Sequence, residues 1–489
     1  MKKNIKILII ILGSVLIANA QWLPDIRLTY NVSNSRTSDN NAFCVAANGN
    51  IVHAVWFDDR ESLSNYEIFY KHSTNNGTNW QADVRLTFRP NNSRSPSIAV
   101  SASIVHVVWY EETVGNGDIF YRRSIDNGVN WEQEVQLTNN SFFQGYPSVA
   151  VNGLNVHLVW NDNRDNSTGR QVYYKRSTDG GLSWSGDIRL NNKGYSSGQC
   201  ISVTGSKIHV VWSDTRDYPL PDILYKHSSD NGLSWNDDIK LTNDYIDSRF
   251  PSISSSGEML HVVWWDKRDG NFNIYYKRST NSGLNWSQDT GLTNDPQDSF
   301  NPSITSSGSL VHVVWNDWRD SNHEIYYKRS TNYGISWFSD SRLTNNSYVS
   351  TNPSITYWST TLHIVWTDTR DGNSEIYFKR DTTGNIVSIN KVYSTIPINY
   401  KLYQNYPNPF NPATKIRFNI PPLEGDRGRI ISLIIYDILV REVATLTNEQ
   451  LQPGTYEVEF DGSNYSSGVY YYKLTAGDYT DTKKMVLVK

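Results

Sequence analysis

What the sequence lacks narrows it first. It holds only two cysteines, Cys44 and Cys200, and three methionines in 489 residues, which leaves no dense disulfide framework to carry a fold. Helical periodicity is missing throughout, which argues against bundles and α/β architectures. A dominant charge is missing too. The chain has 45 basic and 49 acidic residues, a net charge of −4, so it has no general pull toward nucleic acid or an anionic membrane. The apolar run from Ile7 to Ile17 is too short to span a bilayer, and no transmembrane segment is expected once it is removed.

Aromatic residues are plentiful, with 17 Trp and 31 Tyr, and flat rings pack well on pleated surfaces. An all-β protein is expected. The first 20 residues read as a signal peptide: Lys2, Lys3 and Lys6, then the apolar run, then Ala18-Asn19-Ala20 as a cleavage site. No cysteine follows that site, so a lipid anchor is not expected there.

The strongest signal is a repeat. The segment HVVW and its variants start at His53, His106, His157, His209, His261, His312 and His363, with spacings of 53, 51, 52, 52, 51 and 51. A period of this size points to a propeller or solenoid. Each unit contains four short β-type runs between turn-rich stretches, which makes one propeller blade. The fourth run recurs at Trp22, Trp80, Trp131, Trp184, Trp235, Trp286 and Trp337. Its first copy precedes any complete unit, and the last unit lacks one. Residues 22–29 should therefore complete the last blade and remove the open edge. Residues 21–380 are expected to form a seven-bladed β-propeller closed by an N-terminal outer strand. Cys44 and Cys200 fall on equivalent strands of repeats one and four, on different sides of such a ring. A disulfide needs Cα atoms within about 7 Å, so both thiols should be free and buried.

Between the third and fourth runs sits the pattern S-x-[DN]-x-G-x-x-W, as in Ser124-Ile125-Asp126-Asn127-Gly128-Val129-Asn130-Trp131. Five other copies begin at Ser73, Ser177, Ser228, Ser279 and Ser330. The Asx residues are Asn75, Asp126, Asp179, Asp230, Asn281 and Asn332. Read physically, this is a hairpin turn: the Asx side chain accepts turn amides and Gly supplies a positive φ. The pattern resembles the Asp box, or BNR repeat, of sialidases and related propellers.

After Arg380 the repeat stops. Residues 381–399 read as a linker and 400–489 as a small immunoglobulin-like β-sandwich with alternating strands and turn signals. Asn405-Tyr406-Pro407-Asn408-Pro409-Phe410-Asn411-Pro412, Pro453-Gly454-Thr455-Tyr456 and the terminal Lys484-Met485-Val486-Leu487-Val488-Lys489 are similar to the C-terminal sorting domain (type A) of type IX secretion substrates. That resemblance implies export across an outer membrane, with the secretion machinery as partner through residues 400–489, and release or surface attachment.

The recurrent residues read as architecture. Seven equivalent His cannot converge within about 2.3 Å of one zinc ion, so hydrogen bonding between strands is expected, with no metal and no cofactor. An Asp and an Arg follow the second-run Trp in six repeats (Asp58/Arg60, Asp162/Arg164, Asp214/Arg216, Asp266/Arg268, Asp317/Arg319 and Asp368/Arg370), which reads as an ion pair or turn clamp. Loops into each first strand carry an aromatic: Tyr30, Phe88, Phe142, Tyr195, Tyr245, Phe300 and Tyr348. These rings either stack on sugars or pack between blades, with packing favoured.

Departures from the repeat carry the functional candidates. Arg94 precedes Ser95-Pro96 and Arg249 precedes Phe250-Pro251, similar to the sialidase Arg-Ile-Pro motif, whose Arg belongs to a triad that grips the substrate carboxylate. Only two such Arg occur here, against three needed, and Ile is replaced by Ser95 or Phe250. Repeat two also has Glu111-Glu112-Thr113 in place of its Asp/Arg pair, so Arg94, Glu111, Glu112 and Arg249 are the catalytic candidates. Paired carboxylates about 5–10 Å apart would be needed for glycoside hydrolysis. The sialidase fold has six blades. Seven-bladed Asp-box propellers among xyloglucan-cleaving enzymes hold their acids between two propellers, and this chain has one. The reading favoured is a secreted or surface protein binding glycans or glycoproteins, leaning away from an enzyme. A sialidase-like glycoside hydrolase and a protein-interaction scaffold are the alternatives.

Overall fold

The computed structural model describes residues 22–39, 42–62, 65–113, 116–165, 169–217, 220–243, 246–359, 361–381, 390–393, 397–422, 429–439, 442–451, 453–462 and 465–488. The expected signal peptide lies outside them. Every regular element among the described residues is a strand, and no described helix is long and apolar enough to cross a membrane. The chain divides into two compact units, residues 22–388 and 389–489, the second also counting the undescribed residues 1–21.

The first unit contains seven antiparallel sheets among the described residues, six of four strands and one of five. We number them 1 to 7 by their first strands: Val45–Asn48, Asn92–Ser101, Gln144–Asn152, Ser196–Thr204, Ser248–Ser256, Ser299–Ser307 and Ser350–Trp358. Sheet 5 continues through Met259–Asp266 and Asn273–Ser279 to Thr290–Gly291. The second strand is buried on both faces in every sheet, because each sheet is covered on both sides. It therefore reads as a continuous apolar run rather than an alternation. Each first strand touches the next in chain order, and Ser350–Trp358 touches Val45–Asn48. Ile26–Arg27 supplies the fourth strand of sheet 7 by pairing with Glu375–Asp381. Sheets of four strands in this order fit propeller blades.

One contact joins each sheet to the next. His53 Nδ1 meets Tyr70 Oη at 2.6 Å within sheet 1. The Tyr70 ring receives Trp131 of sheet 2 edge-on, with centroids 4.8 Å apart. The pairing of Trp with the preceding sheet's ring recurs in Trp184–Tyr121, Trp235–Tyr174, Trp286–Tyr225, Trp337–Tyr276, Trp22–Tyr327 and Trp80–Phe378. The seven His are buried, and burial pushes their pKa down, to about 4 at His157 and about 3 at the other six. All seven are neutral, and six of them hydrogen-bond to a third-strand Tyr. His363 faces Phe378 and has neither ring nitrogen bonded.

The S-x-[DN]-x-G-x-x-W turns hold this contact. Ser124 Oγ accepts from Gly128 N at 2.8 Å and Asp126 Oδ1 accepts from Asn130 N at 2.8 Å. The Asn130 backbone and side-chain donors hold the Asp126 carboxyl down at about 2. Gly128 is forced twice over: its φ is +86°, and a Cβ there would sit 1.8 Å from Tyr70 Oη.

Cys44 and Cys200 are free and buried. They occupy the first-strand position where Ser97, Ser252, Ser303 and Ser354 accept a backbone N–H from the next sheet at 2.9–3.4 Å. Burial pushes the Cys44 thiol up to about 12.

The C-terminal unit pairs two four-stranded antiparallel sheets. Their buried side chains include Phe410, Phe418, Leu433, Phe460, Tyr472 and Met485. It begins earlier than residue 400. Asn390–Tyr393 pairs with Gly454–Asp461 in the register Asn390↔Glu457, so the linker is shorter than 381–399.

Gly128→Ala should destabilise the first unit by about 2–4 kcal/mol, since a left-handed φ and a steric clash add. Gly153→Ala, whose Cβ meets nothing within 4 Å at φ +61°, should cost only the backbone term, about 1 kcal/mol. Denaturant unfolding of both variants checks this, and equal losses would contradict it.

Candidate functional site

Antiparallel pairing puts the loops after each second strand beside the start of each first strand, at one end of the central channel. The Asp–Arg pairs sit here as clamps. In sheet 4, Asp214 accepts from Trp212 Nε1 at 2.9 Å, and from Arg216 N at 2.8 Å and Nη2 at 2.9 Å. Arg216 Nη1 reaches Asp238, just before the fourth strand Ile239–Lys240, at 2.6 Å, and Lys226 joins Asp238 to the Leu190 carbonyl of sheet 3. In sheet 5, burial opposes the charge on Arg268, but Asp266 and Asp289 outweigh it and raise its pKa. These guanidiniums are committed to architecture.

Sheet 2 departs from this pattern. Glu111 takes the clamp Asp position and is 3% exposed. It accepts from Ser93 Oγ at 2.7 Å, yet its Oε1 and the neighbouring Trp109 Nε1 have no partner. Burial is the main cause that pushes its carboxyl up to about 7. The missing guanidinium comes from elsewhere in the sequence. Arg89 lies 4.1 Å over the Phe120 ring and binds Glu134 at 2.7 Å, as Arg60 lies 4.2 Å over Phe69. Glu112 points away from Glu111, as strand neighbours must. It sits 3.4 Å from Arg94 Nε, and Arg94 lies 4.5 Å over the Tyr66 ring. Arg94 and Glu112 thus meet, whereas Glu111 and Glu112 do not form a facing acid pair. Arg249 lies in sheet 5, three sheets on, bound to Asp247.

The count of two arginines needs correction. Arg36 lies opposite Phe57 as Arg94 lies opposite Tyr110 and Arg249 opposite Trp265. Sheet 1 therefore carries a third arginine in the same register. It was hidden because seven residues, 37–43, separate Arg36 from Cys44, whereas two separate Arg94 from Ser97. From this insertion Phe43 reaches the apolar cluster of sheets 4 and 5, and its carbonyl accepts Ile98 N at 2.9 Å. Phe43 lines the channel cavity of about 220 Å³ together with Ile98, Ile201, Ile253, Ile304 and Ile355.

Six sheets have a β-bulge at this mouth. The bulged residues Ser95, Tyr146, Gly198, Phe250, Asn301 and Asn352 have φ between 47° and 61°. Left-handed backbone at a bulky residue costs on the order of 1–3 kcal/mol and clusters at binding sites. These residues differ in every sheet but one pair, while the second-strand Trp and His are the same in all seven sheets. Asn161 and Asn316, second-strand residues at the same level, are each 1% exposed; neither amide atom of Asn161 is bonded, nor is Asn316 Oδ1. The Pro-centred motif alone does not reveal this ring, although in five of the six sheets the bulged residue stands directly before a Pro.

The seven aromatic candidates do not share one position. Tyr30, Phe88, Tyr195 and Tyr348 are 73%, 69%, 43% and 52% exposed, so the expectation that they pack between blades fails for them. Arg27 and Arg85 lie under Tyr30 and Phe88 at 4.9 and 4.6 Å. Phe142 and Phe300 are partly buried. Tyr245 lies outside the described residues.

Glu111→Gln tests the buried carboxyl. Its folded pKa, near 7, lies above the ordinary 4.5, so the acid form is favoured by folding and stability is lost as pH rises between those values. At pH 8 the variant should exceed the wild type by roughly 2–3 kcal/mol, and the gain should vanish below about pH 4.5. Thermal unfolding across that range measures it. A pH-independent difference would contradict the assignment.

No curated relative is similar to the chain in sequence. Among solved structures, the polysaccharide lyase Uly1 is similar at 12% identity over 70% of this chain and 89% of that one, with a TM-score of 0.47. A mutant Trypanosoma rangeli sialidase displaying trans-sialidase activity is similar at 10% identity over 96% and 90%, with a TM-score of 0.44. The α-L-arabinofuranosidase PaAbf62A from Podospora anserina gives 11% identity over 46% and 83%, with a TM-score of 0.31. Residues 404–489 match the family described as secretion system C-terminal sorting domain, and by that match the chain carries a type IX export signal at its C-terminus.

Proposed function

We propose that the first unit is a seven-bladed Asp-box propeller of sialidase-like type that binds glycans or glycoproteins at the channel mouth, outside the cell and without turnover. The second unit is an immunoglobulin-like sandwich that delivers it through the type IX machinery. The observation that carries this reading is where the seven copies differ. Away from the bulges the edge-on aromatic contact recurs in all seven sheets, and the clamp and the turn in six each. At the mouth the first-strand register holds Arg36, Arg94, Gly145, Ser197, Arg249, Phe300 and Thr351, and the bulges add Tyr146, Phe250 and Asn352. A mixed lining of guanidinium, aromatic and amide groups suits a polyhydroxylated ligand.

A second reading, an exo-sialidase-like glycoside hydrolase, draws on the shared register of Arg36, Arg94 and Arg249 and on the carboxyl of Glu111 near neutrality. Its weakness is that Arg249 pairs with Asp247 three sheets from Arg94 and that Glu111 and Glu112 face apart. A scaffold for protein partners is the third.

A glycan array and fluorogenic sialosides, run on the purified mature protein, separate the three. We expect array binding, weakened at least tenfold by Arg94→Ala in a folded variant, and no hydrolysis. Turnover abolished by Arg94→Ala would replace the binding reading with the hydrolase. Silence in both assays would leave the scaffold.

A further inference from the structure

We propose that Phe250, Trp265, Phe272, Phe300, His323 and Trp318, between sheets 5 and 6, form a stacking subsite for neutral pyranose rings of a polysaccharide. This rests on the glycan reading and names one part of that site and its ligand class. The six rings are continuous from the bulge to the rim. Phe250 stacks on Trp265 at 5.6 Å, Trp265 meets Phe300 at 4.9 Å and Phe272 at 4.5 Å, Phe300 meets His323 at 6.1 Å, and His323 meets Trp318 at 4.8 Å. None of the six is fully buried, and Trp318 is 45% exposed.

Two other junctions carry aromatics at this level, and both are capped. Arg94 covers Tyr66 between sheets 1 and 2, and Arg170 covers Phe143 at 4.2 Å between sheets 2 and 3. Among the described residues no guanidinium stacks on Trp265, Phe300 or Trp318; the nearest cation contact is Lys267 over Phe272 at 5.2 Å. The remaining junctions have Asn161, Ser213, Asn316 and Thr367 where Trp265 stands. At sheets 5 and 6, Trp318 is the ring most open to solvent.

The polar chemistry beside them selects a sugar over an apolar partner. Asn316, opposite Phe300, is 1% exposed; its Nδ2 meets His323 Nδ1 at 3.1 Å while its Oδ1 accepts nothing. A buried acceptor left unpaired costs about 1–3 kcal/mol. A protein's apolar side chain would leave it unpaired, whereas a pyranose offers a C–H face to the rings and hydroxyl donors at its edge. Of the nearby carboxylates, Asp266 and Asp317 are held by Arg268 and Arg319, and Asp298 accepts from Phe272 N at 2.8 Å.

Calorimetric titration with neutral hexasaccharides (cellohexaose, laminarihexaose and mannohexaose) and with 3′-sialyllactose tests this. At least one neutral hexasaccharide should bind, with Trp fluorescence changing on binding. Trp318→Ala should weaken it about tenfold, and Trp318→Phe by less than threefold. Trp358→Ala, 44% exposed at the far end of a first strand, should leave it unchanged. Wild-type affinity in folded Trp318→Ala and His323→Ala variants, or binding of sialyllactose alone, would overturn the subsite while leaving glycan binding intact. Failure of every glycan to bind would instead remove the glycan reading and this subsite with it.

Discussion

The ring depends on one contact made seven times: the ring of a third-strand aromatic held edge-on by the turn Trp of the next sheet. Each edge-on pair is worth about 1 kcal/mol beyond its buried area, so seven together are comparable with the net stability of an ordinary domain. The contact explains why other residues recur. Tyr70 needs a hydrogen-bond partner once buried, and His53 supplies it. Its hydroxyl fills the space a side chain would need at residue 128, so that residue is glycine. Trp22, from the N-terminal end of the unit, makes the same contact with Tyr327, so closure uses the interaction that builds every other junction.

A frame held this way tolerates change where the contact is not made. The Asp–Arg clamp shows the limit of that freedom. In sheet 2 the clamp arginine is gone, and Arg89 arrives from a different loop to cover Phe120 and bind Glu134. The packing role survives while the residue that fills it moves. What does not survive is the partner for the buried acid, and Glu111 is left half-bonded.

The periodic residues made the sheets, the closing strand and the free thiols legible, because each is a local pattern multiplied by seven. The mouth was legible only in part. Arg94 and Arg249 stood out beside a Pro, but Arg36 did not: an insertion displaces it from the motif, and only strand pairing with Phe57 restores its register. The aromatics were grouped by their place in a loop, whereas their exposure follows from which strand or loop end holds them. Tyr30 is open to solvent and Phe300 belongs to a packed cluster. Asn316 carries no sequence signal at all, since an unpaired amide is a property of its surroundings. The start of the C-terminal unit was missed because Asn390–Tyr393 is a short edge strand whose pairing partner lies over 60 residues away.

The central claim is that binding resides where the seven copies differ. Hydrogen–deuterium exchange with the strongest array glycan tests it without substitutions. Protection is expected in the mouth segments, around residues 92–95, 247–250, 298–301 and 317–323. Protection confined to the opposite-face turns, around residues 126–131 and 230–235, would contradict the claim.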